Sequence, residues 1–164
     1  MPVIEVRQHP ALSLAVVHRR ADPADLARLV PECCGLVWRA LQQQGVRGGR
    51  HVALYLDAEI RIMIGAEALH PFSEAGELVA ATTPAGEVAS TVHFGPYATL
   101  GSAHSAVLAW CRANGRRIAG PRWELYGHWE PEWNAHPERI RTDVCYLLEP
   151  LSGNDDSSTL GDLP

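Results

Sequence analysis

One carboxylate, Glu124, stands among the aromatic residues Trp123, Tyr126 and Trp129 in the segment PRWELYGHW, residues 121–129. A strand sends successive side chains to opposite faces, so Arg122, Glu124, Tyr126 and His128 point one way and Trp123, Leu125 and Trp129 the other. An ionised carboxylate buried without a partner costs several kcal/mol or is driven toward its neutral form. A buried Glu124 therefore favours a cation beside it. Aromatic faces around such a site add about 0.5 to 2 kcal/mol per ring for a flat cationic group. A neutral ligand carrying hydrogen-bond donors is the weaker alternative. The competing reading is structural: Glu124 pairs with Arg122 or Arg61 on a half-exposed sheet, where such pairs contribute little, and Trp123, Trp129 and Trp133 serve as packing.

Other residue constellations exclude more than they suggest. All 14 Lys+Arg residues are Arg, which removes Schiff-base chemistry and the lysine-dependent phosphate loop. His93, beside Phe94 and the Gly95-Pro96-Tyr97 turn, either lines a groove mouth or is a satisfied histidine at a strand end. His104 and His128 lie near no HExxH or comparable spacing, so neither a metal site nor a cofactor is expected. Ser102 and Ser105 lack a nucleophile elbow. The formal charge is -5, with Asp155, Asp156 and Asp162 in the C-terminal stretch, and no basic footprint of a nucleic-acid binder is present. Cys33, Cys34, Cys111 and Cys145 match neither CxxC pairs nor a disulfide framework and read as reduced thiols. No signal-peptide core and no run approaching about 18 apolar residues occurs, so a cytoplasmic protein without membrane contact is expected.

The elements that must position these groups are legible as a repeat. With 164 residues and 46% hydrophobic content the chain fits one domain, expected over 1–150, followed by a polar tail from Leu151 without fixed structure. Residues 11–20 read as a buried strand, Pro31 as the first residue of a helix ending at Gly45, and 51–57 and 60–67 as two strands joined by a tight turn. After a Pro/Gly-containing linker the order returns: strand 86–95, a helix opened by Pro96 and closed at Gly115, then RWELYGHW and strand 142–149. Val17-His18 aligns with Val92-His93, Gly45 with Gly115, and HVALY (51–55) with RWELY (122–126). The expected architecture is α+β: two β-α-β-β units, about 11–67 and 86–149, forming a pseudo-symmetric pair with a groove between them. Tyr55 then matches Tyr126, whereas Glu124 faces Ala53. The segment EPEWNAHPERI is long for a hairpin and is either a lid or a decorated connection.

The run PAGEVASTVHFGPYATLGSAHSAVLAWCRANG followed by GPRWELYG resembles the gyrase-inhibitor-like (GyrI-like) small-molecule-binding family, related to effector-binding domains of multidrug-responsive bacterial transcription regulators. The shared pattern is Pro84-Ala85-Gly86, Gly95 and Tyr97 opening the helix, Trp110 and Gly115 closing it, and Glu124-x-Tyr126. The resemblance implies a ligand groove with a central glutamate, here Glu124, walled by Tyr126, Trp123, Tyr55, Tyr97 and Trp129, with His93 at its mouth. It implies a lipophilic, cationic or aromatic ligand held for sensing or sequestration. Many relatives carry a DNA-binding region ahead of this domain. Here the first strand begins within about a dozen residues, so no direct DNA contact is expected. Family members also imply two alternatives: a hydrolase of reactive cyclopropane-bearing drugs using the Trp123-Glu124 pair, with Tyr126 orienting the substrate or relaying a proton, and a protein-interaction module such as a gyrase inhibitor.

Overall fold

The computed structural model describes residues 2–57 and 61–151. The expected tight turn between the third and fourth expected elements, and the tail beyond Leu151, lie outside the described residues. Among the described residues, the strands are β1 (Glu5–His9), β2 (Ser13–Arg20), β3 (Gly48–Tyr55), β4 (Arg61–Ala68), β5 (Val79–Thr82), β6 (Gly86–Phe94), β7 (Ile118–Tyr126) and β8 (Arg141–Leu148). The helices are α1 (Leu26–Gln43) and α2 (Gly101–Ala113). The strands form one antiparallel sheet in the order β1-β6-β8-β7-β3-β4-β2-β5. Its centre is the β3–β7 pair, and the orders β6-β8-β7 and β3-β4-β2 mirror each other about it. This is the expected pair of β-α-β-β units.

Each unit ends its helix in the same way. Gly45 and Gly115 have φ of 68° and 65°, a left-handed conformation that suits glycine at a helix C-terminus. In both, the next residue's N–H reaches back to the helix: Val46 to Leu41 O at 3.0 Å, Arg116 to Cys111 O at 2.9 Å. Aligned on these glycines, Cys33, Val37 and Leu41 of α1 match Ala103, Val107 and Cys111 of α2, and all six are buried against the same face of the sheet. The opposite face carries its own cluster, including Val16, Val52, Leu54, Val88, Trp123 and Cys145. Neither α1 nor α2 contributes a buried residue to that cluster.

Four details differ from the sequence reading. The first strand is β1, not β2; EVRQH is mostly polar because it is an edge strand, with Glu5, Arg7 and Gln8 exposed and Val6 packed against the core. The linker contains β5, four residues pairing β2 at the other edge. Pro31 lies inside α1, which starts at Leu26 after a 3₁₀ turn at Pro23–Asp25; Pro23, rather than Pro31, occupies the N-terminal place. The pairing Val17-His18 with Val92-His93 is one residue out of register. β2 and β6 meet β4 and β8 through Val17↔Ile64 and Thr91↔Val144, so Val17 corresponds to Thr91. A one-residue slip would have exchanged the two faces. Among the described residues no helix is long and apolar enough to cross a membrane.

Candidate functional site

The β3–β7 register fixes where the lone carboxylate sits. Ala53 pairs Glu124, flanked by His51↔Tyr126 and Tyr55↔Arg122. The local two-fold relation between the units therefore passes between Ala53 and Glu124. The expected correspondences of Tyr55 with Tyr126 and of Ala53 with Glu124 follow from this register. Alternation on β7 turns Glu124 and Tyr126 toward the helices and Trp123 and Leu125 away from them.

Over this centre lies a cavity of about 940 Å³, within the size range of small-molecule sites. Glu124 and Tyr126 form part of its floor with His51 and Tyr55. One wall is α1, contributing Leu26, Val30, Pro31, Cys34 and Trp38. The other side is closed by Tyr97 and Leu100 ahead of α2 and by His128 and Trp129 after β7. Pro31 has no N–H to give the Ala27 carbonyl, so the helical ladder is interrupted where both residues line the cavity.

Glu124 is 7% exposed, and it is not alone. The Tyr126 hydroxyl donates to its Oε2. His104 Nε2 lies 2.7 Å from Oε1, and because a carboxylate oxygen only accepts, that nitrogen carries the hydrogen. His104 Nδ1 lies 2.7 Å from the Tyr146 hydroxyl. The result is a polar chain, Tyr126–Glu124–His104–Tyr146, drawn from β7, α2 and β8. The anticipated pairs with arginine are not what holds Glu124: Arg122 lies over the Tyr55 ring, 4.7 Å from its centroid, and Arg61 bonds Asp57 at 2.6 Å.

The surrounding groups are tuned toward neutrality. Burial, reinforced by the Glu124 charge, pushes the Tyr126 and Tyr55 phenols above their ordinary range. Burial also lifts Tyr97 and moves the Cys34 thiol to about 12. His51 is pushed down by burial and by nearby His128, which favours its uncharged form. Tyr97 meets Tyr126 edge-on at 5.6 Å, and Trp38 meets His51 likewise at 5.8 Å.

Of the site residues expected from sequence, Glu124, Tyr126, Tyr55, Tyr97 and Trp129 come together at the cavity. Trp123 does not. It is 2% exposed in the apolar cluster of the opposite face. His93 also stands apart, its Nε2 3.1 Å from Thr99 Oγ1 at the end of β6, the satisfied strand-end histidine of the alternative reading. β7 stops at Tyr126, so the expected strand alternation does not place Trp129; it reaches the cavity from the following loop, 52% exposed and edge-on to Trp133 at 5.5 Å. Trp133 is buried on the 3₁₀ turn Pro131–Asn134, which anchors the long connection, and the cavity lining on this side ends at Trp129. Sequence reasoning gave no site role to His104, Tyr146 or His51, and the spacing of Cys34, Val37, Trp38 and Leu41 reads as a buried helical stripe, whereas Trp38 is half-buried and lines the cavity. Aligning the helices on Gly45 and Gly115 offers a signal for His104: it falls opposite Cys34, as Glu124 falls opposite Ala53.

The GyrI-like family, described as a small molecule binding domain, matches residues 2–149. The chain belongs to the GyrI-like family. Solved structures agree on the fold. The EcmrR C-terminal domain superposes with a TM-score of 0.75 at 18% identity, over 92% of this chain and 99% of that one. In an EcmrR–DNA complex the match spans 58% of the longer EcmrR chain, with a TM-score of 0.71 at 17% identity and 92% coverage of this chain. SAV2435 bound to tetraphenylphosphonium gives 0.64 at 11% identity, over 90% of this chain and 94% of that one. A hydrolase from Listeria innocua gives 0.60 at 11% identity, over 89% and 91%. No curated protein sequence matches the chain. A GyrI-like domain built on paired β-α-β-β units thus places its central carboxylate on the axis between them.

Proposed function

We propose that this GyrI-like domain binds a lipophilic cation in the cavity, with Glu124 as counter-charge and Tyr55, Tyr126, Tyr97 and Trp129 as walls, and so serves to sense or sequester such compounds. The observation that carries this reading is Glu124 itself, a carboxylate 7% exposed on the floor of an otherwise largely apolar cavity. An ionised carboxylate offers about four acceptor positions. Tyr126 and His104 occupy one on each oxygen, which leaves capacity for a ligand. The tetraphenylphosphonium held by SAV2435, a protein of the same fold, is a cation of this class.

The hydrolase alternative asks Trp123 to act with Glu124 on one substrate. Trp123 lies on the other face of the sheet, and no observation at this cavity favours turnover over binding. The experiment is a fluorescence titration with lipophilic cationic dyes and neutral counterparts, in the wild type and in Glu124→Gln. Cation affinity is expected to fall tenfold or more in the variant, about 1.4 kcal/mol, while neutral counterparts change little. Equal cation affinity in the two proteins would refute the counter-charge role.

A further inference from the structure

A counter-charge that is already hydrogen-bonded to a histidine is a conditional one. We propose that His104 is the residue that sets which ligand charge the cavity accepts: neutral, it leaves Glu124 an anion that holds a cation; protonated, it compensates Glu124 and turns the cavity toward uncharged ligands. This rests on the cation-binding reading above.

The hydrogen-bond chain accommodates both states without moving a heavy atom. With His104 neutral, Nε2–H donates to Glu124 Oε1 and Nδ1 accepts from the Tyr146 hydroxyl, at 2.7 Å each. With His104 protonated, both ring nitrogens donate, and the Tyr146 hydroxyl turns to accept. Imidazole is the side chain whose ordinary charge change falls between about pH 5 and 8.

The groups facing His104 do not add a second full anion to the cluster. On β7 they are Glu124, Tyr126 and Arg122; on β8, Tyr146; on β3, Tyr55. The phenols Tyr126, Tyr55 and Tyr146 are all held toward their neutral form by burial. On β6, Glu87 is taken by Arg116 and His93 by Thr99. From α1 the Cys34 thiol, and from the turn before α2 the Tyr97 phenol, act on the Tyr126 end of the same chain. On α2 itself His104 lies in the first turn. Glu124 is therefore the partner that decides whether the imidazolium is tolerated, and a ligand cation competes with that proton for the same carboxylate.

The sign follows from linkage. A bound cation disfavours imidazolium, so binding expels a proton wherever free His104 carries one. Affinity for a permanent cation therefore rises with pH, by no more than about tenfold per pH unit for a single proton, then levels off. Affinity for a neutral ligand stays flat. His51 and His128 also line the cavity, and their share of any pH dependence must be separated from that of His104.

The test uses tetraphenylphosphonium and neutral triphenylphosphine oxide, titrated against the wild type and His104→Gln between about pH 5.5 and 8.5. Glutamine can donate to Glu124 and accept from Tyr146, mimicking neutral imidazole. The wild type is expected to bind the cation about tenfold more tightly at the upper pH, and His104→Gln to bind it at low pH nearly as tightly as at high pH. Calorimetry of the wild type in two buffers of different ionisation enthalpy provides a readout without mutation. Proton release is expected on cation binding at the lower pH and none at the upper. An unchanged pH slope in His104→Gln, with cation binding intact, would assign the effect to His51, His128 or Glu124 and overturn this inference alone. Absence of proton release would do the same. Failure of the cation to bind either protein at any pH would overturn the counter-charge reading, and this inference with it.

Discussion

In the first unit Cys34, Ala53 and Ala66 occupy the places that His104, Glu124 and Tyr146 hold in the second. The helix-end glycines fix the first pair, and the strand registers His51↔Ala66 and Arg122↔Tyr146 fix the last. One unit thus fills the space beneath its helix with a hydrogen-bonded polar chain, while the other leaves it to small side chains. The cavity lies against α1, on the side of the small residues. Two copies of one scaffold have divided the work: the second supplies charge and the first supplies room.

The division can be broken most severely at Gly65, the counterpart of Cys145. A Cβ at Gly65 would lie 1.9 Å from the Ala15 carbonyl oxygen, whereas the second unit accepts a side chain at the same place. Gly65→Ala is expected to cost more than about 4 kcal/mol or to prevent folding, read by denaturant unfolding. The two tryptophans flanking Glu124 in sequence should separate next. Trp123→Ala removes a fully buried ring and should cost about 3 to 5 kcal/mol. Trp129→Ala should stay within about 1 kcal/mol in stability and weaken ligand binding instead. Similar unfolding midpoints for these two variants would contradict the assignment of Trp123 to the core.

Cys34 sharpens the contrast chemically. Burial moves its thiol to about 12, so despite lining the cavity it is protonated near neutrality. Alkylation by iodoacetamide should be at least about tenfold slower than for a free thiol and should accelerate on unfolding, as mass spectrometry would resolve. The smallest effect concerns His51. Its folded form is held neutral, so the unfolded chain binds more protons; stability is present above the unfolded value of about 6.5 and declines as pH falls below it. His51→Gln should flatten that decline in thermal melts between about pH 7 and 5.

Much of this design was legible in the chain. The repeat, the helix-stop glycines and the opposition of Glu124 to Ala53 are local patterns, and periodicity reads them directly. The edge strands β1 and β5 escaped because they are short and, in β1, mostly polar. Pro31 was misplaced because local preference assigns proline to a helix start, while burial of Cys33, Cys34, Val37 and Leu41 on one face of α1 sustains the helix through it. His104 was not assigned a role because a contact between a helix and a strand 20 residues away leaves no periodic trace. Trp129 was credited to a strand that ends three residues earlier.

Ala53 and Glu124 stand directly opposite each other on antiparallel neighbours. Two identical units assembled as a symmetric dimer would set two carboxylates side by side there, about 5 Å apart at Cβ, with a mutual repulsion of about 3 kcal/mol at an effective dielectric of 20. Fusing the units into one chain lifts that restriction, because each half can then mutate without the other. A carboxylate facing an alanine across the two-fold axis is therefore an asymmetry that a chain carrying both units permits and that a homodimer of identical half-length units could not encode.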